Sequence, residues 1–282
     1  MGKAEKRVTY AVKLFVLTLC TVILIFPFFT LIMTSLKSFA DIRDISSSYF
    51  PVHWSFEPYT YVFTEYDFLG YSFNSLHIAF FTVVGTVLSS SLVAFAFARF
   101  KVRESRPIFS VLMISVMIPG QVLQISMYEL YNSLNLIDSF IVFWVPPFLG
   151  GGIMNVFMIL QFFRGLPSSL FDAAKIDGAN AFRQYWQIAV PLSKPVLIVI
   201  AIFTFTGSWN DFMTPMIYLR SSEKYTLQLA MFTMFDQLRI GGLKPWNVIA
   251  AGNIVTMIPI IAIYFCVQKY FTEGIALSGM KL

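Results

Sequence analysis

Pro167–Pro191 reads PSSLFDAAKIDGANAFRQYWQIAVP, a polar segment set between apolar runs. Ser168 or Ser169, just after Pro167, is placed to cap a helix N-terminus, and Asp172 falls where the helix dipole favours an acid. Gly178 is a natural residue to end that helix in a left-handed conformation. The spacing predicts a helix SLFDAAKID, a turn at Gly178, and a second helix from Ala179 to Val190 that stops at Pro191. Leu170, Ala173, Ala174 and Asp177 then share one face of the first helix. The two alanines keep that face shallow, so another protein surface can come close. Phe182, Tyr185, Trp186 and Ala189 share a face of the second helix. Taken alone, the hairpin also fits a segment lying on a membrane surface.

The sequence on either side decides the setting. The chain has 282 residues, 57% hydrophobic and only 12% charged, about half the charged fraction of a soluble domain. No Asp, Glu, Lys or Arg occurs between Lys13 and Lys37, Asp67 and Arg99, Arg106 and Glu129, Asp138 and Arg164, or Lys244 and Lys269. Each gap reaches the ~20 residues a helix needs to cross a bilayer. A sixth, shorter run from Lys194 to Asn210 follows the hairpin. The expected fold is therefore an all-α integral membrane protein with six transmembrane helices. The opening run is too long for a signal-peptide core and lacks an A-x-A site, so it is read as retained.

Six spans put both termini on one side. With the N-terminus inside, fourteen of the 20 Lys and Arg residues face the cytoplasm, among them Arg99, Arg106, Arg164, Lys175 and Arg183. This is the positive-inside bias, and it places both termini and the hairpin in the cytoplasm. The net charge of +5 is thus a topology signal rather than a nucleic-acid footprint. The layout is a cytoplasmic segment 1–10, a membrane domain 11–268 with the loop 167–191 between spans four and five, and a cytoplasmic tail 269–282.

Within the spans, small residues Gly85, Ser89, Ser90 and Ser91 let helices approach closely. Pro119-Gly120, Pro146-Pro147 and Gly150-Gly151-Gly152 mark broken or kinked helices, which survive where protein or a water-filled cavity surrounds them. Gln121, Gln124, Asn155 and Asn253 are accordingly candidates for a substrate path, and helix–helix hydrogen bonding explains them equally well. Lys37 to Tyr71 reads as an acidic, aromatic interfacial segment, and Leu219 to Trp246 as an outside loop containing Gly241-Gly242. Cys20 and Cys266 are expected to be packing residues. His53 and His77 stand alone and make no metal site.

No GxxxxGK[ST], HExxH or GxSxG occurs, and Leu277–Met280, LSGM, is only a partial match to an ATPase signature. The expectation is a non-enzyme with no catalytic residue, no metal and no cofactor of its own. The absence of deep charges speaks against an ion-coupled carrier. A scaffold that uses the hairpin only for assembly is the other alternative.

Asp172-Ala173-Ala174, three residues, Gly178, nine residues and Ile188-Ala189-Val190-Pro191 resemble the EAA loop of ABC-importer permeases, with Asp172 in place of Glu and Val190 in place of Leu. FPVHW (Phe50–Trp54), FNSL (Phe73–Leu76), AFAFARF (Ala94–Phe100), MIPGQ (Met117–Gln121), PLSKP (Pro191–Pro195), SWNDF (Ser208–Phe212) and the ending from Gln268 extend the likeness to the maltose-permease type. The resemblance implies a permease of a binding-protein-dependent importer for a sugar or oligosaccharide, with a non-sugar solute such as a glycerol phosphate ester as the alternative. Leu170, Asp172, Ala173, Ala174, Asp177, Gly178 and Phe182 would form the coupling surface. It also implies a second homologous permease, two cytoplasmic ATPase subunits that bind the ATP and Mg, and an extracytoplasmic solute-binding protein.

Overall fold

A computed structural model describes residues 3–44, 49–100, 105–240 and 246–279. Their elements are helices, with one isolated antiparallel bridge between Lys37 and Trp54. In chain order these are α1 (Lys3–Ser35), α2 (Phe39–Arg43), α3 (Glu57–Thr64), α4 (Phe68–Arg99), α5 (Ser105–Ser115), α6 (Gly120–Ser133), α7 (Ile141–Phe148) and α8 (Ile153–Gly165). Then come α9 (Ser168–Ile176), α10 (Ala181–Gln184), a π-turn (Tyr185–Ala189), α11 (Val190–Leu192), α12 (Lys194–Trp209), α13 (Met213–Tyr218), a 3₁₀ turn (Ser222–Lys224), α14 (Leu227–Ile240) and α15 (Trp246–Gly279). Residues 101–104 of the basic loop, Gly241-Gly242 and the last three residues lie outside the described set.

Four stretches among the described residues are long and apolar enough to cross a membrane: Thr9–Ser35, Phe68–Arg99, Ile141–Gly165 and Trp246–Gln268. Two bent pairs make six if each is one span. These are Pro107–Ser115 with Gly120–Ser133, bent by 92°, and Ala181–Leu192 with Lys194–Trp209, bent by 79°.

The third span is broken at Pro119-Gly120, as those residues predict. Pro119 disfavours helical backbone at Ile118, and the chain leaves α5 through tight i→i+3 bonds before Pro119, itself extended, opens α6. The fourth span is interrupted at Gly150, Gly151 and Gly152, with φ of 132°, 65° and 83°, backbone that glycine adopts without steric penalty.

The chain divides into two compact units. One comprises Met1–Leu69 with Met231–Pro259, the other Gly70–Ala230 with Ile260–Leu282. In the first, α1 exposes apolar side chains along its length, Phe15 and Leu24 among them. The interfacial segment forms two short helices, α2 and α3, held by Asp41. Its carboxylate accepts the N–H groups of Val52 and His53 at 3.0 and 2.9 Å and lies 2.9 Å from His53 Nδ1. Asn247, fully buried, donates to the Lys37 carbonyl at 3.0 Å.

The stretch after Leu219, read as a loop, is largely α14. Leu227, Met231, Met234 and Leu238 are all buried, at helical spacing. Cys20 and Cys266, expected to pack, are unpaired and exposed on this chain.

In the second unit, α4 is the axis. Near its start, Ile78 joins a core with Val142, Phe143, Tyr218, Leu219 and Leu229. Asn74 Nδ2 donates to the carbonyls of Glu223 and Tyr225, and Ser75 Oγ accepts the Leu227 N–H. Beside this core the Asp138 carboxylate takes the N–H groups of Arg220 and Ser221, the Ser221 hydroxyl and the Lys224 ammonium. Burial pushes the Asp138 pKa up, but these four donors outweigh it and hold the carboxyl well below its usual range.

About 24 Å further along α4, at 1.5 Å per residue, Ala94 and Phe95 meet Ile159, Phe163, Phe171, Tyr185 and Ile200 in a second core. Between the two, the small residues of α4 seat the α7–α8 break. Ser89 Oγ lies 2.6 Å from the Pro147 carbonyl, and a Cβ on Gly85 would fall 2.6 Å from the Phe148 ring.

Candidate functional site

The segment between Pro167 and Pro191 is a helical hairpin, as its spacing predicts. Its helix starts differ. α9 begins at Ser168 with Pro167 as its cap and no side-chain capping bond, so neither Ser168 nor Ser169 is the N-cap and Asp172 lies beyond the first turn. Pro167 is already extended (φ −57°, ψ 128°) and presents its carbonyl to the Leu170 N–H.

The turn is a Schellman motif. The Ala179 N–H bonds to the Ala174 carbonyl at 2.8 Å, the Gly178 N–H to Lys175 at 3.1 Å, and Gly178 has φ 78°. Asn180 then caps the second arm, its Oδ1 accepting the Arg183 N–H at 2.8 Å.

The second arm is not one regular α-helix. From Tyr185 the backbone widens into a π-turn, closed by the Val190 N–H on the Tyr185 carbonyl. This insertion splits the expected face. Tyr185 and Ala189 are buried, whereas Phe182 is 65% and Trp186 43% exposed. The arm continues past Pro191 to Leu192, where the chain turns into α12.

Two surfaces result. The inner one is Phe171, the sole buried residue of α9, with Tyr185 and Ala189. Phe171 carries the Arg99 guanidinium 3.2 Å from its ring centroid. The Tyr185 hydroxyl is 2.7 Å from Ser91 Oγ.

The outer surface is apolar and open: Leu170, Ile176, Phe182 and Trp186, with Ile176 88% exposed. Ala173, Asp172 and Asp177 are exposed beside it, and Ala174 is half-buried. Exposed apolar side chains beside a buried anchor are candidates for covering by another surface. Of the residues expected at a coupling surface, Leu170, Asp172, Ala173, Asp177, Gly178 and Phe182 are exposed and Ala174 is half-buried. Ile176, not singled out from the sequence, is exposed as well.

Of the four path candidates, Gln121, Gln124 and Asn155 lie in the unit built on α4. Gln121 is exposed and Gln124 half-buried on α6. Asn155 is committed to the broken span, its Nδ2 donating to the Gly151 carbonyl at 2.7 Å. Asn253 lies on α15, within the other unit. A cavity of about 290 Å³ in the α4 unit is lined by residues including Thr82, Pro146, Ser208, Asp211, Thr214 and Thr226.

Residues 90–276, which include the whole hairpin, match the profile of the binding-protein-dependent transport system inner membrane component. The chain belongs to this family. It is a multi-pass inner-membrane permease subunit of bacterial type, with a transport rather than a catalytic role.

Among relatives of this permease, the arabinooligosaccharides transport system permease protein AraQ of Bacillus subtilis (strain 168) is 30% identical over 274 residues, covering 96% of this chain and 95% of the relative. The galactooligosaccharides transport system permease protein GanQ of the same organism is 30% identical over 284 residues, covering 99% and 98%. A solved bacterial ABC transporter involved in the import of the acidic polysaccharide alginate contains a chain that matches the fold with a TM-score of 0.85 at 23% identity, over 96% of this permease and 99% of that chain.

Proposed function

We propose that this permease imports a sugar or oligosaccharide and that its hairpin docks a separate ATPase. The observation that carries the reading is the division of the hairpin into a buried anchor (Phe171, Tyr185) and an open apolar surface (Leu170, Ile176, Phe182). Leu170, Asp172, Ala173, Ala174, Asp177, Gly178 and Phe182 form the coupling surface. The names of AraQ and GanQ support the oligosaccharide substrate.

The permease pairs with a second homologous permease, forming a heterodimer. Two cytoplasmic ATPase subunits bind the ATP and Mg, and an extracytoplasmic solute-binding protein delivers the substrate. Both termini and the hairpin are cytoplasmic, as the distribution of Lys and Arg supports. ATP-driven closure of the ATPase pair moves the hairpins as rigid bodies, and the spans alternate between inward- and outward-open states. Gln121, Gln124, Asn155 and Asn253 remain the path candidates.

The test is reconstitution of the full transporter in vesicles, measuring ATP hydrolysis and uptake of a labelled oligosaccharide together. The expected result is oligosaccharide-stimulated hydrolysis with uptake, and loss of both the coupling and ATPase co-purification in Gly178→Pro. Uptake of sn-glycerol 3-phosphate in place of oligosaccharides overturns the substrate. Unchanged coupling in Gly178→Pro overturns the role of the hairpin.

A further inference from the structure

One face of α4 contacts both arms of the hairpin. Ser91, Phe95 and Arg99 are spaced i, i+4 and i+8, which aligns them along a helix. Ser91 Oγ meets the Tyr185 hydroxyl at 2.7 Å. The Phe95 ring lies 5.5 Å from that of Tyr185 and 6.4 Å from that of Phe171. Arg99 closes the row, its guanidinium 3.2 Å from the Phe171 centroid.

Arg99 is committed to this position. Its Nε and Nη2 are out of water and have no hydrogen-bond partner among the described residues. What offsets their burial is the π face of Phe171 and the charge of Asp172 nearby. A guanidinium over an aromatic face gains most when both are desolvated.

We propose that Arg99 is a positioning residue that locks the first arm of the hairpin to α4, so that Ser91, Phe95 and Arg99 form the seam passing hairpin movement to a membrane-crossing helix. This rests on the docking role proposed above. Phe171 is the sole buried residue of α9, so movement of α9 reaches the core through the side chain that Arg99 covers. Tyr185 gives the second arm the same connection through Ser91 and Phe95. With both arms tied to one helix, the hairpin moves with α4 rather than pivoting on its Gly178 turn.

The test uses the assembled transporter in vesicles and reads uptake per ATP hydrolysed alongside ATPase co-purification. Arg99→Gln is expected to lower that ratio by about tenfold, a common size for a coupling between sites, while the ATPase still co-purifies. Arg99→Lys, which keeps a cation over the ring, restores part of it. Phe171→Leu keeps an apolar anchor without the ring face and gives the same loss, and the double variant Arg99→Gln/Phe171→Leu is no worse than either alone. An unchanged ratio in Arg99→Gln overturns the proposal, as does multiplication of the two losses in the double variant or loss of assembly in both single variants. If Gly178→Pro uncouples while Arg99→Gln does not, the docking role stands and the seam fails. If neither uncouples, the docking role itself fails.

Discussion

The hydroxyl of Tyr185 and Oγ of Ser91 lie 2.7 Å apart, both residues almost fully buried, joining the second arm of the hairpin to the last third of a membrane-crossing helix. Ser91 Oγ also lies 2.5 Å from the Val87 carbonyl, so losing the tyrosine hydroxyl leaves it partnered. Tyr185→Phe is expected to cost about 1 kcal/mol, the net worth of one hydrogen bond. Tyr185→Ala also empties a core site packed by Phe95, at about 3–5 kcal/mol. Thermal unfolding of the purified complex, followed for both variants, checks the ordering.

Gly178 separates conformation from crowding. Its φ is 78°, yet nothing lies within 4 Å of where a Cβ would be. Gly178→Ala is therefore expected to cost only the left-handed penalty of about 1–2 kcal/mol, and Gly178→Asn less. Gly178→Pro cannot reach that φ and removes the donor to the Lys175 carbonyl. The order of coupling loss, Asn then Ala then Pro, is read as uptake per ATP hydrolysed.

Gly151 fails on both grounds. A Cβ there would sit 2.5 Å from the Thr86 carbonyl oxygen and 2.7 Å from Ser89 Oγ, on backbone with φ 65°. Gly151→Ala is expected to destabilise by about 3 kcal/mol or more, the sum of overpacking and left-handed strain. Gly120→Ala, with an ordinary φ and open space, is the control and should be nearly neutral. Yield and thermal stability in detergent distinguish the two.

The Asp41 carboxyl is lowered from 3.8 to about 2. The His53 N–H contributes most, then the His53 ring; burial opposes them, and Val52 and Ser38 add smaller contributions. Because the folded value lies below the ordinary one, this stabilisation is complete above 3.8 and is lost as pH falls through about 2. A variant keeping only Trp54 among its tryptophans should show a fluorescence change across that window. In Asp41→Asn the transition should be missing and the neutral-pH signal should already be the acid one.

Much of this was legible before any coordinates. Charge-free runs announce the spans because hydrocarbon leaves no other solution for that much apolar chain. Pro119-Gly120 and Gly150–Gly152 announce the breaks, since proline and glycine act through their own backbone. α14 was not legible, because the turn-forming residues on either side obscure the helical spacing of Leu227, Met231, Met234 and Leu238. The exposure of Cys20 and Cys266 was not legible, because an apolar span does not say which of its faces its own chain covers.

The sequence by itself determined what local forces control: an all-helical membrane chain, a hairpin with a left-handed turn at Gly178, and the residues able to form its face. Only the tertiary structure decided how that hairpin is held. The π-turn turns Tyr185 inward and leaves Phe182 and Trp186 outside, and Arg99 reaches Phe171 across 71 intervening residues of chain. Periodicity reports which side chains can share a face. Contacts between segments so distant in sequence depend on how whole helices pack, and no local pattern encodes that.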